Sequence, residues 1–139
     1  MTPRLVVDSS ALCALCFEDE VTAGSDELLQ QQEQGNVWAP NLLLWEEANV
    51  LLMAQRRGRL SQAQRVEALQ LIASLGLALD DAAPVVVWQD VIQLADQMGL
   101  TSYDAAYLEL AMRLGTPLAC RDKALQHCCQ QLGVQLQPC

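Results

Sequence analysis

A chain of 139 residues that is 52% hydrophobic and 18% charged holds enough apolar material for one core. This excludes disorder and leaves no length for two independent domains, so residues 1–139 read as a single domain. Seventeen acidic against 8 basic side chains give a formal charge of −9, which excludes a generic electrostatic coat on nucleic acid. No apolar run approaches the roughly 18 residues of a bilayer span, and the opening MTPRLVVD turns polar too early for a secretory signal. A soluble cytoplasmic protein without membrane association is expected.

Leu5 to Val7 form a short β-branched strand that ends at Asp8, and Ser9 to Phe17 repeat apolar residues at helical spacing. A helix from about Ser25, read as its N-cap, to Gln34 is stopped by Gly35, and Val37 to Ala39 make a brief strand. Pro40 and Asn41 open the next helix, NLLLWEEANVLLMAQRR, which ends at Gly58. Ser61 with Gln64 is a capping box for a helix to about Leu75, and Leu77 to Leu79 is a further strand. Helices are expected at 84–98, between Pro84 and Gly99, and from Ser102 to about Leu114. The chain closes with a strand from Pro117 to Cys120, a helix from Asp122 to Leu132 and a strand from Val134 to Leu136. Short apolar strands alternating with helices, with no hairpin signals between them, imply crossover connections and a buried parallel sheet of the α/β class.

Six cysteines without a secretory signal read as reduced, mostly buried residues with no disulfides. Cys13 and Cys16 form a C-x-x-C inside a helical run, whereas a redox pair needs its first thiol at an exposed helix start. His127, the only histidine, sits beside Cys128 on a late helix and reads as a surface or packing residue. No G-x-S-x-G, G-x-G-x-x-G or G-x-x-x-x-G-K-[ST] is present, so triad hydrolysis and Gly-loop nucleotide binding have no support.

The acids carry the chemistry. Ligands in open parallel sheets bind outside the carboxyl ends of the strands, and Asp8 and Asp122 each stand directly after a strand and before a helix. Asp104 stands in the first turn of its helix. Each aspartate has a plainer role, since a carboxylate at a helix start satisfies orphan N–H groups for about 0.5 to 2 kcal/mol. Glu46 resists that reading because it lies inside an apolar helix with no cation at i+3, i+4 or i+7, while Glu47, about 100° round the helix, reads as the surface acid. Several gathered carboxylates repel unless a divalent cation neutralises them, and oxygen ligands without histidine or cysteine select Mg²⁺ or Mn²⁺. That chemistry fits metal-assisted hydrolysis of an anionic ester. Arg56, Arg57 and Arg59 form the densest positive patch, as a helix C-terminal complement or as RNA contacts.

The segments VVDSSALCALCFEDE, APNLLLWEEANVLLMAQRRGRLS, LTSYDAAYLELAMRLGTPLACRDKAL and LGVQL, in that order across almost the whole chain, resemble a PIN domain of the VapC toxin type. The resemblance implies a three-layer α/β/α sandwich around a mostly parallel sheet, and a Mg²⁺- or Mn²⁺-dependent ribonuclease. It further implies the toxin of a type II toxin–antitoxin pair, homodimeric and bound by a cognate antitoxin. By the same resemblance, the catalytic and metal-binding residues fall on Asp8, Glu46, Asp104 and Asp122. Ser9 and Asn49 match polar positions beside them. Ser102, read as the N-cap, leaves Asp104 facing the groove, with Tyr103 and Tyr107 as walls or packing. Arg121 either reaches a phosphate, pairs with Asp122 or faces solvent. Cys120 departs from the threonine or serine common in the family, and motivates the alternative of a catalytically silent PIN-fold module that binds protein.

Overall fold

The computed structural model describes residues 4–33 and 36–139. Its centre is a sheet of β1 (Leu5–Val7), β2 (Val37–Pro40), β3 (Ala78–Asp80) and β4 (Leu118–Ala119) in the order β3-β2-β1-β4, every pair parallel. The apolar LVV of β1 is fully buried, as a central strand covered on both faces must be. Helices complete the three-layer sandwich: α1 (Ser9–Cys13), α2 (Ala23–Glu33), α3 (Leu43–Arg56), α4 (Gln62–Ser74), α5 (Ile92–Met98), α6 (Ser102–Leu114) and α7 (Lys123–Leu132). The expected α/β class and parallel sheet are found.

The chain runs β1, β2, β3 outward in one direction and then returns to place β4 on the other side of β1. Strand order therefore reverses between β1 and β4. Loops leaving the carboxyl ends of those two strands diverge and leave a crevice between them. Asp8 follows β1 and Asp122 follows β4, so the topology brings both to that crevice. The backbone bond from Asp8 N to Ala119 O, 3.0 Å, fixes the two strand ends against each other.

α6 packs across β1 and β2 and supplies much of the core through Ala105, Tyr107, Leu108, Leu110 and Ala111, each at most 1% exposed. Burial of a leucine there contributes about 1.5–3 kcal/mol. At the far end of α6, Arg113 makes two bonds to the Asp80 carboxylate, at 3.1 and 2.7 Å, and one to Glu109 at 2.8 Å. This clamp holds the short edge strand β3 to the helix.

Several boundaries differ from expectation for identifiable reasons. The helix expected over Ser9–Phe17 is α only to Cys13 and tightens to a 3₁₀ turn at Ala14–Cys16. Ser25 is not an N-cap: it lies inside α2, where its Oγ accepts from Thr22 N at 3.0 Å while Ser25 N donates to Thr22 Oγ1 at 3.3 Å. The expected stop at Gln34 and Gly35 lies outside the described residues. Pro40 ends β2 rather than opening α3, and the Ser61–Gln64 capping box is present as expected. The 84–98 helix is wound as a π-segment over Val86–Val91 before α5. The expected final strand shrinks to one parallel bridge, Leu136 beside Leu118.

That closing segment is nevertheless held firmly. Leu118 N donates to Gln135 O and Gln137 N donates to Leu118 O, at 2.9 and 3.0 Å. The last residues then cross α2 so closely that a methyl group on Gly24 would lie 2.5 Å from Cys139 N. Gly24→Ala is expected to cost about 1–3 kcal/mol in urea unfolding and to speed hydrogen exchange at the Gln137 amide. An unchanged exchange rate would show that the close approach does not hold the segment.

Candidate active site

The carboxyl ends of β1 and β4 open into a cleft of about 420 Å³ whose walls include Asp8, Glu46, Asp104 and Asp122. All four predicted acids therefore reach one site, from four separate segments of the chain.

Asp8 is 5% exposed and caps α1. Its Oδ1 accepts from Ala11 N at 2.9 Å and from Ser10 Oγ at 2.7 Å. Burial pushes its carboxyl up to about 6 against those two bonds, with Asp104 and Glu46 adding repulsion. Asp122 caps α7 in the same way, its Oδ1 accepting from Ala124 N at 2.9 Å. Capping and facing the cleft are thus compatible in both residues.

Asp104 has the opposite arrangement. Thr101, not Ser102, is the N-cap of α6, accepting from Asp104 N at 3.1 Å, and this leaves the Asp104 carboxylate on the cleft wall. Burial raises its carboxyl, Asp122 raises it further and Thr101 opposes. Glu46, half-buried on α3, accepts from Tyr107 Oη at 2.5 Å. Burial raises the Glu46 carboxyl against that bond, and Asp104 adds to the rise. The Tyr107 phenol is itself driven well above its usual range, first by burial and then by Glu46, so it serves as a fixed neutral donor.

Burial is the first cause of each raised carboxyl, and the neighbouring acids add to it without a compensating cation. Arg59, on the rim, is bound to Asp19 at 3.1 Å and Glu20 at 2.6 Å and lies 3.8 Å over the Phe17 ring. Arg121 turns away from Asp122: its guanidinium donates to Glu20 O at 2.6 Å, and its backbone N donates to Ser10 Oγ at 2.9 Å. Ser10 thereby joins the Asp8 carboxylate to the segment carrying Asp122. Arg57 also lines the cleft and, among the described residues, forms no ion pair. An oxygen-only set of acids, three of them raised chiefly by burial, fits a hard divalent cation. Among the described residues, however, no three Asp, Glu, His or Cys side chains are grouped closely enough to hold one ion as they stand.

Other expected positions fall elsewhere. Glu47 is not the surface acid: at 2% exposure it faces α1, where Ser9 Oγ donates to its Oε1 at 2.8 Å. Burial pushes its carboxyl up to about 7 against the Ser9 bond. Ser9 lines the cleft as expected, but Asn49, although one turn from Glu46, is exposed and lies outside it, as does Ser102. Cys120 is buried off the cleft wall, so the missing hydroxyl takes nothing from the cleft surface. All six cysteines are free, and His127 is exposed. Tyr103 points to solvent at 63% exposure. Ser10 and Thr101 are partners of the site that the sequence does not single out, whereas Tyr107, expected as a wall or packing residue, lies one helical turn after Asp104, a spacing that points both to one face.

The fold and cleft are those of an α/β protein with its site at a topological switch point. The PIN domain family matches residues 5–129, and the chain belongs to that family. It is 32% identical over 122 residues to Ribonuclease VapC3 of Pyrobaculum aerophilum, covering 88% of this chain and 92% of the relative. It is 30% identical over 125 residues to Exonuclease VapC9 of the same organism, covering 90% and 85%. Among solved structures, PAE2754 from Pyrobaculum aerophilum superposes with a TM-score of 0.72 at 28% identity, covering 92% of this chain and 81% of the other. The Mycobacterium tuberculosis VapC20 toxin, titled as cleaving the sarcin-ricin loop, shares the fold with a TM-score of 0.61 at 17% identity, covering 88% and 93%. Among the described residues no helix is long and apolar enough to cross a membrane.

Proposed function

We propose that the chain is a Mg²⁺- or Mn²⁺-dependent endoribonuclease and the toxin of a type II toxin–antitoxin pair, acting in the cytoplasm. The observation that carries this reading is the convergence of Asp8, Glu46, Asp104 and Asp122 on one cleft at the switch point, with three of these carboxyls raised. The names of the VapC relatives support the same reading. A divalent ion bound by these acids supplies the positive charge and Lewis acidity for hydrolysis of a phosphodiester.

The chain's own residues prepare the cleft for that role. Tyr107 orients Glu46, and Ser10 holds Asp8 against the Asp122 segment. Arg57 supplies a cation on the cleft wall for the RNA backbone, which reconciles a local phosphate contact with a charge of −9. Exposed apolar side chains support the proposed homodimer and antitoxin contacts: Trp45 is 68% exposed, Trp88 74% and Ile92 51%.

Incubation with a panel of structured RNAs in Mg²⁺, with and without EDTA and beside Asp8→Ala, tests the reading. Discrete fragments are expected only from the wild type with metal. Cleavage that survives EDTA or the substitution would overturn it.

A further inference from the structure

Glu47 is the buried acid that the cleft does not use. It sits one turn from Leu43 and from Leu51 on α3, which are 1% and 0% exposed, and itself packs in the seam between α3 and α1. Its single side-chain bond is to Ser9, and its Oε2 is buried without a partner among the described residues. A carboxyl group so placed opposes folding, whereas a leucine would suit the same helix face. The one hydrogen-bonded route from Glu47 to the cleft is through Ser9.

A serine hydroxyl has one proton and two lone pairs. With the proton committed to Glu47, the Ser9 oxygen on the cleft wall is left as an acceptor next to Asp8. We propose that Glu47 is a positioning residue that holds Ser9 as a fixed hydrogen-bond acceptor for a hydroxyl donor in the cleft, either the attacking water or the ribose 2′-hydroxyl. This rests on the nuclease reading of the cleft. DNA lacks the second donor, so that source would also discriminate RNA from DNA.

The test is a double-mutant cycle of Ser9→Ala and Glu47→Leu with Glu47→Gln as the conservative variant. Each of the first two is expected to lower kcat/KM about tenfold, and the double variant to fall no further than Ser9→Ala alone. Glu47→Gln keeps an acceptor oxygen for Ser9 and is expected to stay within about threefold of wild type. Independent, multiplicative losses would overturn the proposal. NMR couplings at Ser9 Cβ, read without metal or RNA, should show one rotamer in wild type and averaging in Glu47→Leu; one rotamer in both would overturn it. A wild type that cleaves no RNA removes the nuclease reading alone, because the rotamer measurement still decides whether Glu47 positions Ser9. A 2′-deoxy nucleotide at the scissile position assigns the donor: the Ser9→Ala loss disappears if it is the ribose and persists if it is the water.

Discussion

Asp8→Asn is expected to raise the melting temperature of the metal-free protein by about 5 °C or more near pH 7.5 while abolishing RNA cleavage. Asparagine keeps an oxygen in the place of Oδ1, so the bonds from Ala11 N and Ser10 Oγ are retained and α1 keeps its cap. What disappears is a charge that is 5% exposed and faces Asp104 and Glu46. Its folded value of about 6 lies above the 3.8 of a free aspartate. The folded state therefore holds this proton more tightly than the unfolded chain, and above both values the ionised group opposes folding by about 3 kcal/mol. Asp8→Ala removes the charge and the cap together, so it is expected to gain less stability than asparagine. Thermal melts of both variants beside the RNA assay measure this; a melting temperature for Asp8→Asn at or below wild type would show that the charge is not the destabilising element.

The stability of the metal-free protein is also expected to fall as pH rises, and Mn²⁺ is expected to remove part of that slope. Asp8 and Glu47 are raised to about 6 and about 7, from 3.8 and 4.5. Between the lower and the upper value of each group the folded state binds more protons than the unfolded state, so stability declines over roughly pH 4 to 7. A cation ligated by Asp8 competes with its proton, and Mn²⁺ should stabilise more near pH 7.5 than near pH 5. Glu47 is off the cleft, so its share of the slope should persist with Mn²⁺ and disappear in Glu47→Gln. A Mn²⁺ effect that is independent of pH would overturn the proposed ligation by Asp8.

The strand-acid-helix units were legible because two local signals coincide in them. A short apolar run precedes an aspartate, directly at Asp8 and one residue on at Asp122, and a helical apolar period begins after it, which places both acids at strand ends. Convergence of Glu46 and Asp104 on them rested on family resemblance, since periodicity gives a residue's face and not what lies opposite that face. Glu47 shows the limit: a surface position is the ordinary reading of a charged residue beside another, and only α1 packing on α3 reveals Ser9 opposite it. Ser102 and Thr101 are both good caps, and the sequence offers no ground for choosing between adjacent hydroxyls. The π-segment at Val86–Val91 has no signature in VVWQDV, and the strand at Val134–Leu136 has the right composition but only one bridge to β4.

The caps on α1 and α7 bear on which ion the cleft would accept. Asp8 Oδ1 already accepts two hydrogen bonds, and Asp122 Oδ1 and Glu46 Oε1 accept one each, so chelation of an ion by both oxygens of any of them would compete with those bonds. Such carboxylates bind one-handed. Ca²⁺, which takes six to eight oxygens and often chelates both arms of a carboxylate, is poorly served by that arrangement. Mg²⁺ tolerates single-oxygen contacts and retains water in its remaining positions. If the cleft binds an ion as proposed, the helix starts that shape it would also act as a filter on cation chemistry, favouring the smaller, more strongly hydrated ion.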